Sequence, residues 1–360
     1  MPDDPLQRLR DGTAWDEFCE RLKAAGHQVL DAAPDDPLDR AEGLRYVSRL
    51  ARHFLRATIE DADPAAAVMS TETPKIGLDN PDYVYYGARL SASFEYRLSG
   101  SMGDAHLVGF GTFSGGLGTK EGLVRNGYLT SEELEFDSDG RFTISLSRER
   151  RPGNWLPMLS ETNSLQIRQT LLDRRNQQPA PMELARVDEG TGPSPLDPAR
   201  FSRGLDRVGL MVSGVVGQFL GWTNSFRSHT HEIRTLDPSL LAVAQGDPNT
   251  SYNYSYWDLD EDEAFVIEFT PPECEYWNLQ IGNHWLESLD FRHYTTHVNH
   301  ETAVRENDGS VRIVIAHRDP GVPNWLDTAG HARGGLALRW VGAEHPPSPS
   351  TRVAEIDSLQ

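Results

Sequence analysis

Two cysteines in 360 residues, Cys19 and Cys274, are too few for a disulfide framework or a cysteine-rich zinc site. A long apolar run is missing as well. The most apolar stretch, Val208 to Trp222, is broken by Gln218 and several glycines, whereas a membrane span needs about 20 apolar residues. The start of the chain, MPDDPLQRLRDG, has no apolar signal core, which leads to the expectation of a cytoplasmic protein. Positive charge is in deficit: 34 Lys and Arg stand against 54 Asp and Glu, for a formal net charge of −20. That balance argues against nucleic-acid and anionic-membrane partners, both of which reward clustered cations. Nucleotide and calcium signatures are also absent. The run GFGTFSGGLGTKEG (109–122) lacks both GxxxxGK[ST] and a properly spaced GxGxxG, so it reads as a turn or a loop against a pocket. DLDEDEAF (258–265) lacks the glycine and terminal Glu of an EF-hand and reads as a solvated turn. No Ser sits in a GxSxG elbow, and Cys274 has no neighbour that would activate a thiol.

What remains is ordinary globular composition, 38% hydrophobic and 24% charged, in a chain long enough for two cores. Residues 1–70 read as helical. Thr13 or Asp11 can cap AWDEFCERLKAAGHQVL, with Trp15, Phe18, Leu22 and Ala25 at helical steps. A second amphipathic helix carries Leu44, Val47, Leu50, Ala51 and Leu55 on one face. Over 75–190 the period changes to two, in short strands such as DYVYYGARL, AHLVGFGTF and RFTISLS. The segment 191–228 holds a Pro- and Gly-rich linker and then a helix, about Asp197 to Trp222. Its glycines, Gly204, Gly209, Gly214, Gly217 and Gly221, suit close packing against a sheet. Alternation returns over 229–360, in AFVIEFT, EYWNLQI, VRIVIAHR and GLALRWV.

The two strand-rich regions look like copies. Asp139-Gly140 begins a strand that leads to Asn154-Trp155-Leu156, and Asp308-Gly309 begins one that leads to Asn324-Trp325-Leu326. The Asp-to-Asn spacings are 15 and 16, and each NWL is followed by another alternating strand. The expected fold is mainly β with α additions. It comprises two tandem antiparallel, jelly-roll-like β-sandwich units, an N-terminal helical segment and a helical connector.

The stretch YWNLQIGNHWLESLDFR, with NDGSVRIVIAHRDPGVPNWLDTAGHARGGLALRWVG after it, resembles the bacterial DUF1214 family. The first half is similar to the upstream β region of a longer subgroup. The likeness covers about Asp79 to Val353, and DPGVPNWLDTAG is its most specific part. No stretch resembles the DUF1254 domain that commonly precedes DUF1214. The resemblance implies β-sandwiches with helical additions. It implies no reaction and carries over no catalytic residues.

Candidate chemistry concentrates in the second copy. His284, His293, His297, His300, His317 and His331 fall there, whereas the first copy has no histidine between Arg148 and Trp155. Imidazole suits proton transfer near neutral pH. Asp327 lies close to His331 and could orient it as a base. His284, His293, His297, His317, Asp327 and His331 are therefore the candidate catalytic set. Asn324 and Trp325 recur in the first copy and are assigned to structure, the Asn closing a loop and the Trp plugging the core. In EYWNLQIGNHW, Trp277, Leu279 and Ile281 point one way, and Tyr276, Asn278 and Gln280 the other. That amide face leads to Asn283 and Trp285, which together with Tyr254 are the candidate substrate-binding residues.

Metal ligation has weaker grounds. His229-Thr-His231 would place two imidazoles on one strand face, and His293-x3-His297 two on one helix face, but neither is a standard triad. His229 and His231 are the metal candidates, and no cofactor is expected. Two functional classes stay open. One is an enzyme using His/Asp acid–base chemistry (hydrolysis, hydration or dehydration, isomerisation) on a small, largely apolar, oxygenated metabolite. The other is a non-catalytic carbohydrate- or lipid-binding module. The expected partner is a small molecule, and homodimerisation is compatible with either class.

Overall fold

A computed structural model describes residues 4–71, 73–187, 194–237, 240 and 246–359. Among the described residues, the α-helices named are α1 (Pro5–Arg10), α2 (Thr13–Ala32), α3 (Pro37–Leu55) and α4 (Pro198–Arg227). Asp11 supplies the hydrogen bond expected at the start of α2, accepting from Thr13 N at 3.0 Å, while Gly12 takes the capping position with φ 85°. Asp36 caps α3 by accepting from Leu38 N and Asp39 N. The periodicity needs one correction. Trp15 and Leu44 are 57% and 45% exposed, because the buried stripes run through Ala14, Phe18, Ala25 and Val29 on α2 and through Tyr46, Val47, Leu50 and Phe54 on α3. Trp15 instead lies over the edge of this core, its ring 5.6 Å from that of Phe18.

The first sandwich contains β1 (Tyr83–Arg89), β2 (Tyr96–Ser101), β3 (Leu107–Gly115), β4 (Leu123–Thr130), β5 (Arg141–Ser147), β6 (Trp155–Pro157), β7 (Ser164–Thr170) and β8 (Met182–Arg186). Its sheets run β1-β7-β3-β4 and β6-β5-β2-β8. A two-residue strand, β9 (Arg234–Thr235), precedes the second sandwich. That unit holds β10 (Thr250–Asp258), β11 (Glu263–Phe269), β12 (Tyr276–Ile281), β13 (His297–Asn299), β14 (Val311–Ala316), β15 (Trp325–Asp327), β16 (Arg333–Val341) and β17 (Ser350–Glu355). Its sheets run β13-β12-β16-β10-β9 and β15-β14-β11-β17. Replacing β1, β7, β3, β4 by β10, β16, β12, β13, and β6, β5, β2, β8 by β15, β14, β11, β17, turns one order into the other. Only β9 is extra. The duplication read from the DG and NWL strings is a duplication of topology.

Each NWL forms a short strand parallel to its neighbour, Leu156 opposite Leu146 and Leu326 opposite Ile315. The Asn side chains do the same work in both copies. Asn154 Nδ2 donates to Glu135 O and Thr143 O, and its Oδ1 accepts from Glu135 N. Asn324 Nδ2 donates to Val304 O and Arg312 O, and its Oδ1 accepts from Val304 N. The tryptophans do not plug the cores. Trp155 and Trp325 stay partly exposed, with Nε1 donating to Ser147 Oγ and Ala316 O, while Leu156 and Leu326 are fully buried. Asn324→Ala removes three hydrogen bonds and also places a β-carbon at φ 57° without the amide that favours it. The expected cost is about 2 kcal/mol, read as a lower denaturant midpoint with an unchanged slope.

Three cores result. One lies between the sheets of each sandwich, and a third joins α2, α3 and α4 to the outer face of β10 and β16 through Tyr254, Tyr256, Trp285 and Ala337. The outer faces of the two sandwiches meet at Tyr83, Leu107, Tyr276 and Val341. Helix α4 runs five residues past the expected end. The linker stretch that begins at Gly190 lies partly outside the described residues.

Candidate functional site

Where the two outer sheet faces splay apart, they enclose a cavity of about 560 Å³ roofed by α4. The alternation of β1 brings Tyr83, Tyr85, Gly87 and Arg89 to one side of it. Gln166 and Arg168 join them from β7. From the second sandwich come Tyr252, Tyr254 and Arg339. Phe219 and Trp222 of α4, Phe54 of α3 and Ile76 provide the apolar wall. The glycine run forms β3 and the loop after it, and Gly115, Gly116 and Leu117 border the cavity, as one of its two sequence readings expects.

The floor is built by hydrogen bonds that reach across the chain. Segment 78–82 lies over the polar face of β12. Asn278 Nδ2 donates to Asn80 Oδ1 at 2.8 Å, Gln280 Nε2 to Asp79 O at 3.0 Å, and Tyr276 Oη to Asp82 Oδ2 at 2.6 Å. The amide face foreseen from YWNLQI is thus real but wholly buried. Arg339 is 4% exposed and donates to Gln280 Oε1 at 2.6 Å and to Leu78 O. Burial works against its charge, but the oxygens of Tyr254, Tyr85, Tyr252 and Tyr83 hold its pKa above the ordinary arginine value. Burial also pushes the Tyr85 phenol up to about 12 and that of Tyr254 higher still, so both are neutral at physiological pH. Tyr85 Oη accepts from Asn80 N at 3.0 Å, and Tyr252 Oη accepts from Asp247 N at 2.7 Å. Each phenol oxygen is met by a backbone donor, which leaves its own O–H to donate. The floor therefore presents phenol and guanidinium donors.

Of the residues singled out from the sequence, Tyr254 lines this cavity and the other ten do not. Asn283, Trp285 and His331 meet instead under α3. Asn283 Nδ2 donates to Glu42 Oε2 at 2.7 Å and to Glu287 Oε2 at 3.0 Å, and Trp285 Nε1 donates to Asp39 O at 2.7 Å. His331 donates from Nε2 to Glu42 Oε2 at 2.8 Å and from Nδ1 to Thr328 O at 2.9 Å. A ring that donates from both nitrogens is an imidazolium. Burial lowers the His331 pKa, but the hydrogen bond and charge of Glu42 more than offset this and raise it; in return, Glu42 is held below its ordinary value despite burial. The carboxylate that orients His331 is therefore Glu42 of α3. Asp327 accepts from Ala329 N instead.

The remaining histidines are apart. Burial, with Arg227 and Arg333 nearby, pushes His284 down to about 4, and its Nδ1 accepts from Tyr256 Oη at 2.6 Å. His317 is held between Thr328 Oγ1 and Leu259 O. His297 Nε2 donates to Asp82 Oδ1 at 3.1 Å from β13. His293 is exposed in a turn, so the expected helix carrying His293 and His297 is corrected to a turn followed by a strand. His229 and His231 are likewise not on one strand face. They follow the end of α4, where His231 adopts φ 63° and its Nε2 accepts from Asp258 N. Among the described residues no group of three or more His, Cys, Asp or Glu is placed to hold a metal ion, and no helix is long and apolar enough to cross a membrane.

Fold and cavity define a tandem β-sandwich protein with helical additions and a chamber of small-molecule size between its halves. The chain belongs to the DUF1214 family, whose model, described as a protein of unknown function, matches residues 252–345. A solved structure of an uncharacterised protein from Burkholderia cenocepacia is 42% identical, with a TM-score of 0.95; the alignment covers 98% of this chain and 100% of that one. The VPA0106 protein from Vibrio parahaemolyticus shares the fold at 13% identity, with a TM-score of 0.51 over 94% of this chain and 99% of that one. No curated protein matches significantly.

Proposed function

We propose that the protein binds a small, largely apolar metabolite carrying acceptor oxygens, and that it does so in the cavity between the sandwiches. The supporting observation is the cavity itself, about 560 Å³ with aromatic walls and a floor of Tyr85, Tyr252 and Arg339 donors. Such concave, mostly apolar sites with a few fixed polar groups are the usual form of ligand pockets. Phenols and guanidinium groups keep their protons across neutral pH, so this floor recognises oxygen atoms without exchanging protons with them. The binding class is therefore favoured over His/Asp acid–base catalysis, whose candidate residues lie elsewhere.

Ten-carbon probes test this by calorimetry on the whole protein. Decanoic acid, 2-decanone and 1-decanol are expected to saturate one site, each at least ten-fold more tightly than decane. Saturable binding of none of the three, or equal binding of decane, would contradict the reading.

A further inference from the structure

A second cavity, of about 220 Å³, abuts the first, sharing Ala57, Thr58, Arg89 and Arg207 of its lining. Its walls hold four arginines: Arg89 of β1, and Arg200, Arg203 and Arg207 of α4. The α4 residues are spaced i, i+3 and i+7, which puts them on one helix face. That face can come near residues 57–62 because Gly204 has no side chain; a β-carbon there would lie 2.6 Å from Ile59 Cδ1.

What sets the cluster apart, among the described residues, is four arginines around one hollow with no carboxylate among them. With 54 acidic residues in the chain, several arginines pair with carboxylates, as Arg8 at the N-terminus does with Asp206 of α4. Among the described residues, no carboxylate lies within ion-pair distance of Arg89, Arg200, Arg203 or Arg207; Arg200 donates to Ala62 O. Among the described residues, the lining contains no acidic side chain. Like charge is concentrated instead: burial, and then the charges of Arg207 and Arg200, push the Arg89 pKa down. Four arginines around a small hollow could meet an oxyanion from several sides, because guanidinium geometry matches phosphate oxygens two at a time.

We infer that this arginine-lined hollow is a phosphate-binding site at the mouth of the main cavity. The inference builds on the proposed function by assigning a phosphate to the polar end of the ligand that lies outside the tyrosine floor. A phosphate ester on an apolar body would place its body in the large cavity and its dianion among the arginines. In a chain of net charge −20, this patch would also draw an anionic ligand to the opening, with a salt-sensitive rate.

Calorimetry with decyl phosphate, 1-decanol and inorganic phosphate tests it, on the wild type and on Arg203→Ala. Arg203 is exposed, lines only the smaller hollow, and sits in a helix that accepts alanine. Decyl phosphate is expected to bind at least ten-fold more tightly than 1-decanol. In Arg203→Ala that advantage falls at least five-fold while 1-decanol affinity is unchanged, and Arg203→Lys recovers part of it. Inorganic phosphate that binds with the same dependence on Arg203, without any 1-decanol binding, would uphold the phosphate site and sink the apolar-cavity reading. Binding of 1-decanol with no advantage for decyl phosphate and no inorganic phosphate binding would do the reverse. A phosphate advantage that survives intact in Arg203→Ala also overturns the proposal.

Discussion

Replacing Glu42 by alanine destabilises the protein by about 3 kcal/mol, because it strips a partly charged network of its shared acceptor. Glu42 Oε2 receives both His331 Nε2 and Asn283 Nδ2 at a site that is almost fully buried. These two residues belong to the second sandwich, and Glu42 belongs to α3. The network therefore pins the N-terminal helices to the β framework, with Arg49–Glu287 as a neighbouring clasp. Glu42→Gln keeps the shape but loses the charge, and it should remove a characteristic pH dependence. The folded-state pKa of His331 is raised, so its contribution is complete below the ordinary value of 6.5 and is lost as pH climbs through the raised one. The folded-state pKa of Glu42 is lowered, so its contribution is present above the ordinary 4.5 and is lost as pH falls through the lowered one. The difference in unfolding free energy between wild type and Glu42→Gln should thus be greatest between pH 4.5 and 6.5 and shrink on either side. His284 complicates the wild-type curve alone. It is buried neutral, so acid below 6.5 favours the unfolded chain. Both proteins share that term, so it cancels; Asp39 and Glu287, which feel the Glu42 charge, respond together with the pair. A difference that does not vary with pH would show that Glu42 and His331 are not ionised as a pair in the folded protein.

Gly214→Ala is expected to cost about 3 kcal/mol and to weaken ligand binding as well. A β-carbon at this position of α4 would stand 1.9 Å from Gly118 O, with backbone rather than a yielding side chain as the obstacle. Gly118 itself has φ 73°, and a β-carbon there would lie 2.7 Å from Met211 O. The loop 116–122 is therefore pressed directly on the helix backbone, and it forms one border of the cavity. Alanine must push the two apart and open the chamber. From the sequence alone, the glycines of α4 suit packing on a sheet. Their contacts are instead with this loop, with Ile59 at Gly204 and with Arg21 of α2 at Gly209. Chemical denaturation and calorimetric titration of the same variant check both effects; wild-type stability would show that the loop can yield without cost.

Fold and site differ in how far the sequence reveals them. The DG and NWL strings expose the duplication because each depends on local geometry, a turn glycine and an Asn closing a nearby loop. Alternation likewise sorts the residues of YWNLQI between faces. It cannot say what covers a face, and here residues 78–82, almost 200 positions upstream, bury the amides that look solvent-facing. The candidate histidines illustrate the same limit. His331 does have a carboxylate partner, but it is Glu42, 289 positions away rather than the nearby Asp327. Nothing local marks Arg168, Arg339 and Tyr85 as site residues, because an outward strand position ordinarily meets water. A signal was present, however. Tyr83 and Tyr85 in one copy, and Tyr252 and Tyr254 with Arg339 in the other, make both outer faces aromatic, which is costly to leave in solvent. Two such faces in one chain are a reason to pair them.

The cavity can be closed without disturbing its walls. Gly87 is on the inward face of β1, its backbone N–H donates to Ser70 O, and a β-carbon added there meets nothing nearer than Leu165 O at 3.8 Å. Phenylalanine suits a strand better than glycine and would project into the chamber. Calorimetric titration of decanoic acid into wild-type and Gly87→Phe protein is the most direct test of the central claim. The account predicts saturable binding to the wild type, and at least ten-fold weaker binding to a Gly87→Phe protein that melts no lower. Undiminished binding to folded Gly87→Phe would contradict it and place the ligand outside the space between the sandwiches.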